Sequence, residues 1–197
     1  MPNIVLIRHL ATDLAGRFCG QIDPAINTVG QSQLRTLADS LRIWKINYIY
    51  TSDLQRARQT AEAINMELGV PFTPRSGLRE ISFGKWEGLS WEEIERQDAV
   101  MANLWLKKYP HQPAPGGEAY TEFSLRIQAE AELLFQFAKE RRVAAVTHAG
   151  VIREILMRYC SVSSEAAWEW TREYGAFVVI DDQRKMIFTS IAGEVKE

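Results

Sequence analysis

Ile4 to Ile7 is a short continuous apolar run bounded by Asn3 and Arg8. Its length and β-branched content predict a strand covered on both faces, as in a parallel sheet. A helix follows: Thr28 and Gln31 have capping-box spacing, and Leu34, Leu37, Leu41 and Trp44 mark one face. Ile46 to Tyr50 reads as a second strand. Ser52 and Gln55 have the spacing of another box, ahead of the stripe Leu54, Ala57, Ala61, Ile64 and Leu68. Gly69 and Pro71 stop that helix.

A third, shorter helix is expected from Ser90 to Glu93 onward, until Pro110, Pro113, Pro115, Gly116 and Gly117 break the chain. A long helix over about 118–140 turns Phe123, Ile127, Leu134 and Ala138 inward. Val143 to Val146 is the next buried strand and Val151 to Tyr159 the next helix. Phe177 to Ile180 and Met186 to Thr189 form a hairpin across residues 181–184. Strands alternating with helices mean an α/β fold. The expectation is a three-layer α/β/α sandwich with a mostly parallel central sheet, an antiparallel edge and a small cap insertion. Residues 1–197 read as one domain, with 90–117 as that cap.

Composition narrows the function classes. At 197 residues, 46% apolar and 24% charged, the chain can bury a core without disulfides or metals. A net charge of −2 argues against a nucleic-acid-binding surface, although a local basic pocket remains compatible with it. Cys19 and Cys160 are too few for a disulfide framework. The opening apolar run is too short for a signal-peptide core or a membrane span, so a cytoplasmic location without membrane association is expected. The expected partner is a small-molecule substrate, and oligomeric state is not indicated.

Of three histidines, His9 and His148 fall at the carboxyl ends of expected strands, where ligands bind in open α/β sheets. Either alone would more often be a structural, hydrogen-bonded residue, and His111 in its proline-rich loop keeps that reading. Arg8 adjoins His9. Arg56 sits in the first turn of the second helix between apolar neighbours, although a surface arginine is the ordinary alternative. Guanidinium forks and a helix amino terminus together bind phosphate. Phosphoryl transfer needs positioning and charge stabilisation, and a neutral imidazole beside guanidinium groups is a competent nucleophile. Glu80 is the leading candidate for the acid that protonates the leaving alkoxide.

Leu6-Ile7-Arg8-His9, Ser52 to Ala61, Leu78-Arg79-Glu80 and Thr147 to Arg153, in that order, resemble the histidine phosphatase superfamily, which is phosphoglycerate mutase-like. The resemblance covers nearly the whole chain. It implies that His9 is the nucleophile and that Arg8, Arg56, His148 and Ala149 bind the phosphoryl group. Glu80 would be the general acid and later base, with no metal and no organic cofactor. Cys19-Gly20-Gln21-Ile22-Asp23, the run Phe83 to Gly88, Pro115 to Glu118 and Tyr174-Gly175 look like the α-ribazole phosphatase branch of cobalamin synthesis. That likeness adds Cys19, Gly20 and Gln21 as substrate-binding candidates. Broad-specificity phosphatases share parts of these blocks. The chain departs from the family at Leu10 and Ala11, where glycine and an acidic residue are usual, and at Ala15, where asparagine is. These changes are expected to reshape the phosphate loop and leave His9 in place.

Three other readings compete with a phosphomonoesterase. A cofactor-dependent phosphoglycerate mutase uses the same phosphohistidine, but the short stretch between Glu80 and Gly117 favours a compact cap and hydrolysis. A non-catalytic phospho-ligand-binding protein would have no use for Glu80. A zinc hydrolase lacks two histidines on one helix face and a third ligand spaced to join them.

Overall fold

The computed structural model describes residues 3–190 and 193–194. Seven strands of these residues make one sheet: β1 (Asn3–Arg8), β2 (Tyr48–Ser52), β3 (Phe72–Arg75), β4 (Val143–Thr147), β5 (Phe177–Asp181), β6 (Met186–Thr189) and β7 (Gly193–Glu194). They lie in the order β3-β2-β4-β1-β5-β6-β7. The β3-β2-β4-β1 half is parallel, and β5, β6 and β7 continue it antiparallel.

The uninterrupted apolar runs follow from the layers. Ile4 and Leu6 of β1, Val143 and Ala145 of β4, and Val178 and Ile180 of β5 face one core. That core is closed by α5 (Tyr120–Ala138), α6 (Ala149–Tyr159) and α7 (Ser164–Trp170). The alternate residues Val5, Ile7, Ala144, Val146, Phe177 and Val179 face the opposite core. There α1 (Thr28–Leu41) and α2 (Gln55–Leu68) supply Leu37, Leu41, Ala57, Ala61 and Ile64. With both faces covered, the interior positions of these strands, 4–7, 143–146 and 177–180, are all apolar.

The capping of two helices differs from the sequence expectation. Asn27, not Thr28, caps α1, its side chain accepting from Gly30 N at 2.9 Å. No side chain caps α2: Leu54 is its N-cap residue, and Ser52 Oγ accepts from Leu54 N at 3.3 Å while serving another purpose described below. The second strand starts at Tyr48 rather than Ile46, because pairing with β4 begins where Tyr48 meets Val143. Ile46 is buried in the α1–α2 core ahead of the strand.

Segment 84–117 holds a short turn (Gly84–Trp86), α3 (Trp91–Gln97), capped by Ser90 in a capping box with Glu93, and α4 (Ala99–Lys108). It has its own cluster of Trp86, Ile94, Ala102 and Ala114. Phe18, from the loop after β1, is set edge-on to Phe83, Trp86 and Trp105 at 5.0, 5.7 and 5.7 Å and ties the segment to the sheet edge. Gly84, at φ 52°, lies so close to the Gly116-Gly117 backbone that any Cβ there would overlap it. No helix of the described residues is long and apolar enough to cross a membrane.

Candidate active site

The site is built where the parallel strands end. His9 follows β1 and His148 follows β4, which is hydrogen-bonded to β1. The His9 backbone N donates to Thr147 O at 2.9 Å, so the sheet itself sets the two histidines side by side. Their ring centroids are 5.1 Å apart.

The tautomer of His9 follows from its partners. Nδ1 lies 2.8 Å from the Leu10 carbonyl and must donate to it. Nε2 then carries the lone pair and accepts from Arg56 Nε at 3.2 Å, since a guanidinium can only donate. Burial, first, and then the positive charges of Arg56 and Arg8 hold the imidazole pKa well below its ordinary value; the bond to Leu10 offsets this only in part. The result is a neutral histidine with Nε2 available as a nucleophile.

Arg56 is fully buried in the first turn of α2. Besides His9, it donates to the carbonyls of Ile22 at 2.8 Å and Gly20 at 2.6 Å, and more distantly to Cys19 at 3.5 Å. The 19–22 loop is therefore the cradle of this arginine. Glu87 holds the loop from the other side: its carboxylate accepts from the backbone N of Gly20, Gln21 and Phe83 at 2.9 Å and of Ile22 at 3.2 Å.

Arg8 ends β1. Its Nη1 donates to Thr171 O at 2.9 Å and to Arg172 O, and its guanidinium carbon lies 4.0 Å from the centre of the Tyr174 ring. Arg8 Nε is buried with no hydrogen-bond partner among the described residues, and so is Nδ1 of His148. His148 Nε2 is 2.8 Å from Ser52 Oγ. In the tautomer where the Ser52 hydroxyl donates to Nε2, the N–H of His148 sits on Nδ1. Burial and the charge of Arg56 lower the His148 pKa well below the usual histidine value. Arg8 Nε and, in that tautomer, Nδ1–H of His148 are buried donors with nothing to donate to beside the neutral His9, which matches the needs of a tetrahedral oxyanion.

Glu80 lies beyond β3. Its Oε2 accepts from Gly150 N at 2.9 Å and its Oε1 from Ile81 N at 3.0 Å. Gly150 is required for that approach, since a Cβ there would overlap Glu80 Oε1. The backbone before Glu80 is clamped by Arg126, which donates to the carbonyls of Gly77 at 3.0 Å and Arg79 at 2.7 Å. Arg79 forms a two-pronged pair with Asp53 at 2.7 Å per bond.

A cavity of about 250 Å³ is lined by Arg8, His9, Cys19, Glu80, Ala149 and Tyr174, together with residues 16–18, Phe83 and Trp91. Five sequence candidates thus share one cavity, and Arg56 and His148 lie buried beside His9. Gly20 and Gln21 do not line it: Gly20 gives its carbonyl to Arg56, and Gln21 Nε2 reaches Glu80 O at 3.4 Å. Leu10 turns its side chain into the α1–α2 core and its amide to Thr60 Oγ1 at 3.1 Å, and it does not line the cavity. Ala15 is exposed. Ser52, Glu87, Asp53 and Arg126 escaped the sequence reading because each holds a site candidate, or the chain beside one, through a contact distant in sequence. Among the described residues, no group of three or more His, Cys, Asp or Glu is placed to hold a metal ion.

A family model of the histidine phosphatase superfamily (branch 1) matches residues 4–188. The chain belongs to that superfamily. It is 26% identical over 182 residues to the adenosylcobalamin/alpha-ribazole phosphatase of Escherichia coli (strain K12), covering 91% of this chain and 90% of the relative. It is 32% identical over 169 residues to the metal-independent phosphoserine phosphatase of Arabidopsis thaliana, covering 83% of this chain and 71% of the relative. The fold matches the crystal structure of the alpha-ribazole phosphatase from Shigella flexneri with a TM-score of 0.84, over 99% of this chain and 100% of that one, at 24% identity.

Proposed function

We propose that the chain is a phosphomonoester hydrolase that carries the phosphoryl group on Nε2 of His9. The observation that carries this reading is the pair of hydrogen bonds on His9, which leaves its lone pair on Nε2 beside two guanidinium groups. In the first step Nε2 attacks phosphorus and the P–O ester bond breaks. Arg56 Nε moves from Nε2 to a phosphoryl oxygen, joined by Arg8 Nε and the Nδ1–H of His148. These donors stabilise the charge spread over the equatorial oxygens of a loose transition state. Glu80 in its protonated form gives the leaving oxygen its proton. In the second step the resulting carboxylate takes a proton from water as that water attacks the phosphohistidine, which regenerates neutral His9 and releases phosphate. No step calls on a metal. Segment 90–117 serves as the cap over the site.

The names of the E. coli and Shigella relatives put α-ribazole-5′-phosphate first among substrates. The test is release of inorganic phosphate from a panel of phosphomonoesters by the wild-type chain and by His9→Ala. The reading expects turnover by the wild type and loss of at least about 10³-fold in kcat for the variant. An unimpaired His9→Ala would refute it.

A further inference from the structure

A second chamber adjoins the catalytic cavity. It measures about 470 Å³, and Phe18, Glu80 and Phe83 belong to the walls of both. The carboxyl expected to protonate the leaving oxygen therefore stands on the wall the two share. The chamber is the neighbouring space on the Glu80 side of His9.

The walls of the chamber are strongly apolar. Trp105, Leu106 and Tyr109 of α4 and its following loop face Met157 of α6 and Trp168 of α7. Leu106, Tyr109, Met157 and Trp168 are also 55, 59, 37 and 56% exposed, four of the ten large apolar side chains most exposed among the described residues. Scattered exposed apolar residues need no explanation, but a cluster rimming one chamber marks a binding surface.

Charges around the chamber are mostly satisfied internally. Glu154 accepts from Tyr120 and Ser124 at 2.6 Å and pairs with Arg158 at 3.0 Å. Glu118 pairs with Arg126 at 2.7 Å. Arg153 donates through Nε to Thr171 Oγ1 at 2.8 Å, and its guanidinium carbon sits 3.6 Å from the centre of the Trp168 ring. Such a wall rewards removal of apolar surface from water and offers little to a small charged alcohol such as serine.

We propose that the chamber receives the alcohol part of the substrate, and that this alcohol is bulky, apolar and ring-bearing, with Trp168 and Met157 as specificity-determining residues. This rests on the phosphohydrolase reading above and adds the leaving-group class to it.

The test compares esters of primary alkyl alcohols, so that leaving-group basicity stays nearly constant while bulk changes. Ethyl phosphate, 2-phenylethyl phosphate, 2-(1-naphthyl)ethyl phosphate and phosphoserine are assayed for kcat/KM. Discrimination by an apolar pocket is worth about 10–200-fold for a single methylene. The naphthyl ester is therefore expected to exceed ethyl phosphate and phosphoserine by at least about tenfold. Trp168→Ala and Met157→Lys should each reduce that advantage about tenfold, read as the ratio of the naphthyl to the ethyl kcat/KM within each variant. Both side chains are at the rim, and the ethyl phosphate rate reports whether each variant is folded. If all esters turn over with similar kcat/KM, or phosphoserine leads, the chamber assignment is wrong and the phosphohydrolase reading stands. If no ester is hydrolysed at all, both fall.

Discussion

Arg56 Nε donates to Nε2 of His9 across 3.2 Å, and the same guanidinium is held by the carbonyls of Gly20 and Ile22. Under the proposed mechanism the arginine is placed for two jobs: its charge adds to burial in keeping the histidine neutral, and it stands where phosphoryl oxygens would arrive. Only a planar fork with five donors can face both the imidazole and two carbonyls. Arg56→Lys keeps the charge and loses the fork. Its kcat on any accepted ester should fall by about 10²–10³-fold, the usual cost of one oxyanion donor. A lysine variant with wild-type kcat would show that charge alone suffices.

The depressed pKa values of His9 and His148 tie stability to pH. Both are neutral in the folded chain well below the ordinary histidine pKa, chiefly because they are buried. The unfolded chain takes up protons near pH 6.5, so above that pH these groups contribute no slope. Below it the unfolded state binds more protons and stability falls, by about 1.4 kcal/mol per pH unit for each histidine. Urea unfolding in phosphate-free buffer between pH 8 and 5 measures this. His9→Gln should lower the slope by about one proton; an unchanged slope would mean that His9 is protonated when folded.

Gly150 tests the acid without altering its carboxyl. A Cβ at this position would overlap Glu80 Oε1, so Gly150→Ala must displace the side chain. Proton donation matters for an alkoxide and little for nitrophenolate. Steady-state turnover of ethyl phosphate should fall about 10²-fold in both Gly150→Ala and Glu80→Gln. The pre-steady-state burst of nitrophenolate from 4-nitrophenyl phosphate should survive in both. Equal losses for the two esters in the burst phase would argue against Glu80 as the acid.

Glu87 should act through Arg56. Its carboxylate accepts four backbone N–H groups, three of them from the loop that cradles the arginine. Glu87→Gln leaves one acceptor oxygen and turns an amide N–H toward backbone donors. The expected cost is about 1–3 kcal/mol of stability, together with a raised KM as the loop loosens. Thermal unfolding and steady-state kinetics read the two effects, and a variant unchanged in both would show that the clamp is dispensable.

Much of this architecture is legible in the chain because burial on both faces writes continuous apolar runs. Ile4 to Ile7, Val143 to Val146 and Phe177 to Ile180 became β1, β4 and β5, and the stripe on 54–68 became the buried face of α2. β3 was not legible: Phe72–Arg75 is an edge strand of four residues, half-buried and carrying Pro74, so no periodicity marks it. α7, at seven residues, is also short for its type. Ser52 shows how local rules mislead: its spacing to Gln55 imitates a cap, whereas its hydroxyl serves His148, 96 positions away. The site candidates Arg8, His9, Arg56, Glu80 and His148 could be named because strand ends and family order mark them. Glu87, Asp53 and Arg126 could not, since only the folded chain shows that Glu87 and Arg126 hold distant backbone and that Asp53 holds the Arg79 side chain.

The most direct measurement is chemical trapping of the intermediate. Wild-type protein is mixed with ³²P-labelled substrate, quenched within milliseconds in alkali, and digested for mass spectrometry. The account predicts acid-labile, alkali-stable phosphate on a single peptide, placed on Nε2 of His9, formed and lost at rates compatible with kcat and absent from His9→Gln. Turnover with no such adduct, or with phosphate on any other residue, would contradict it.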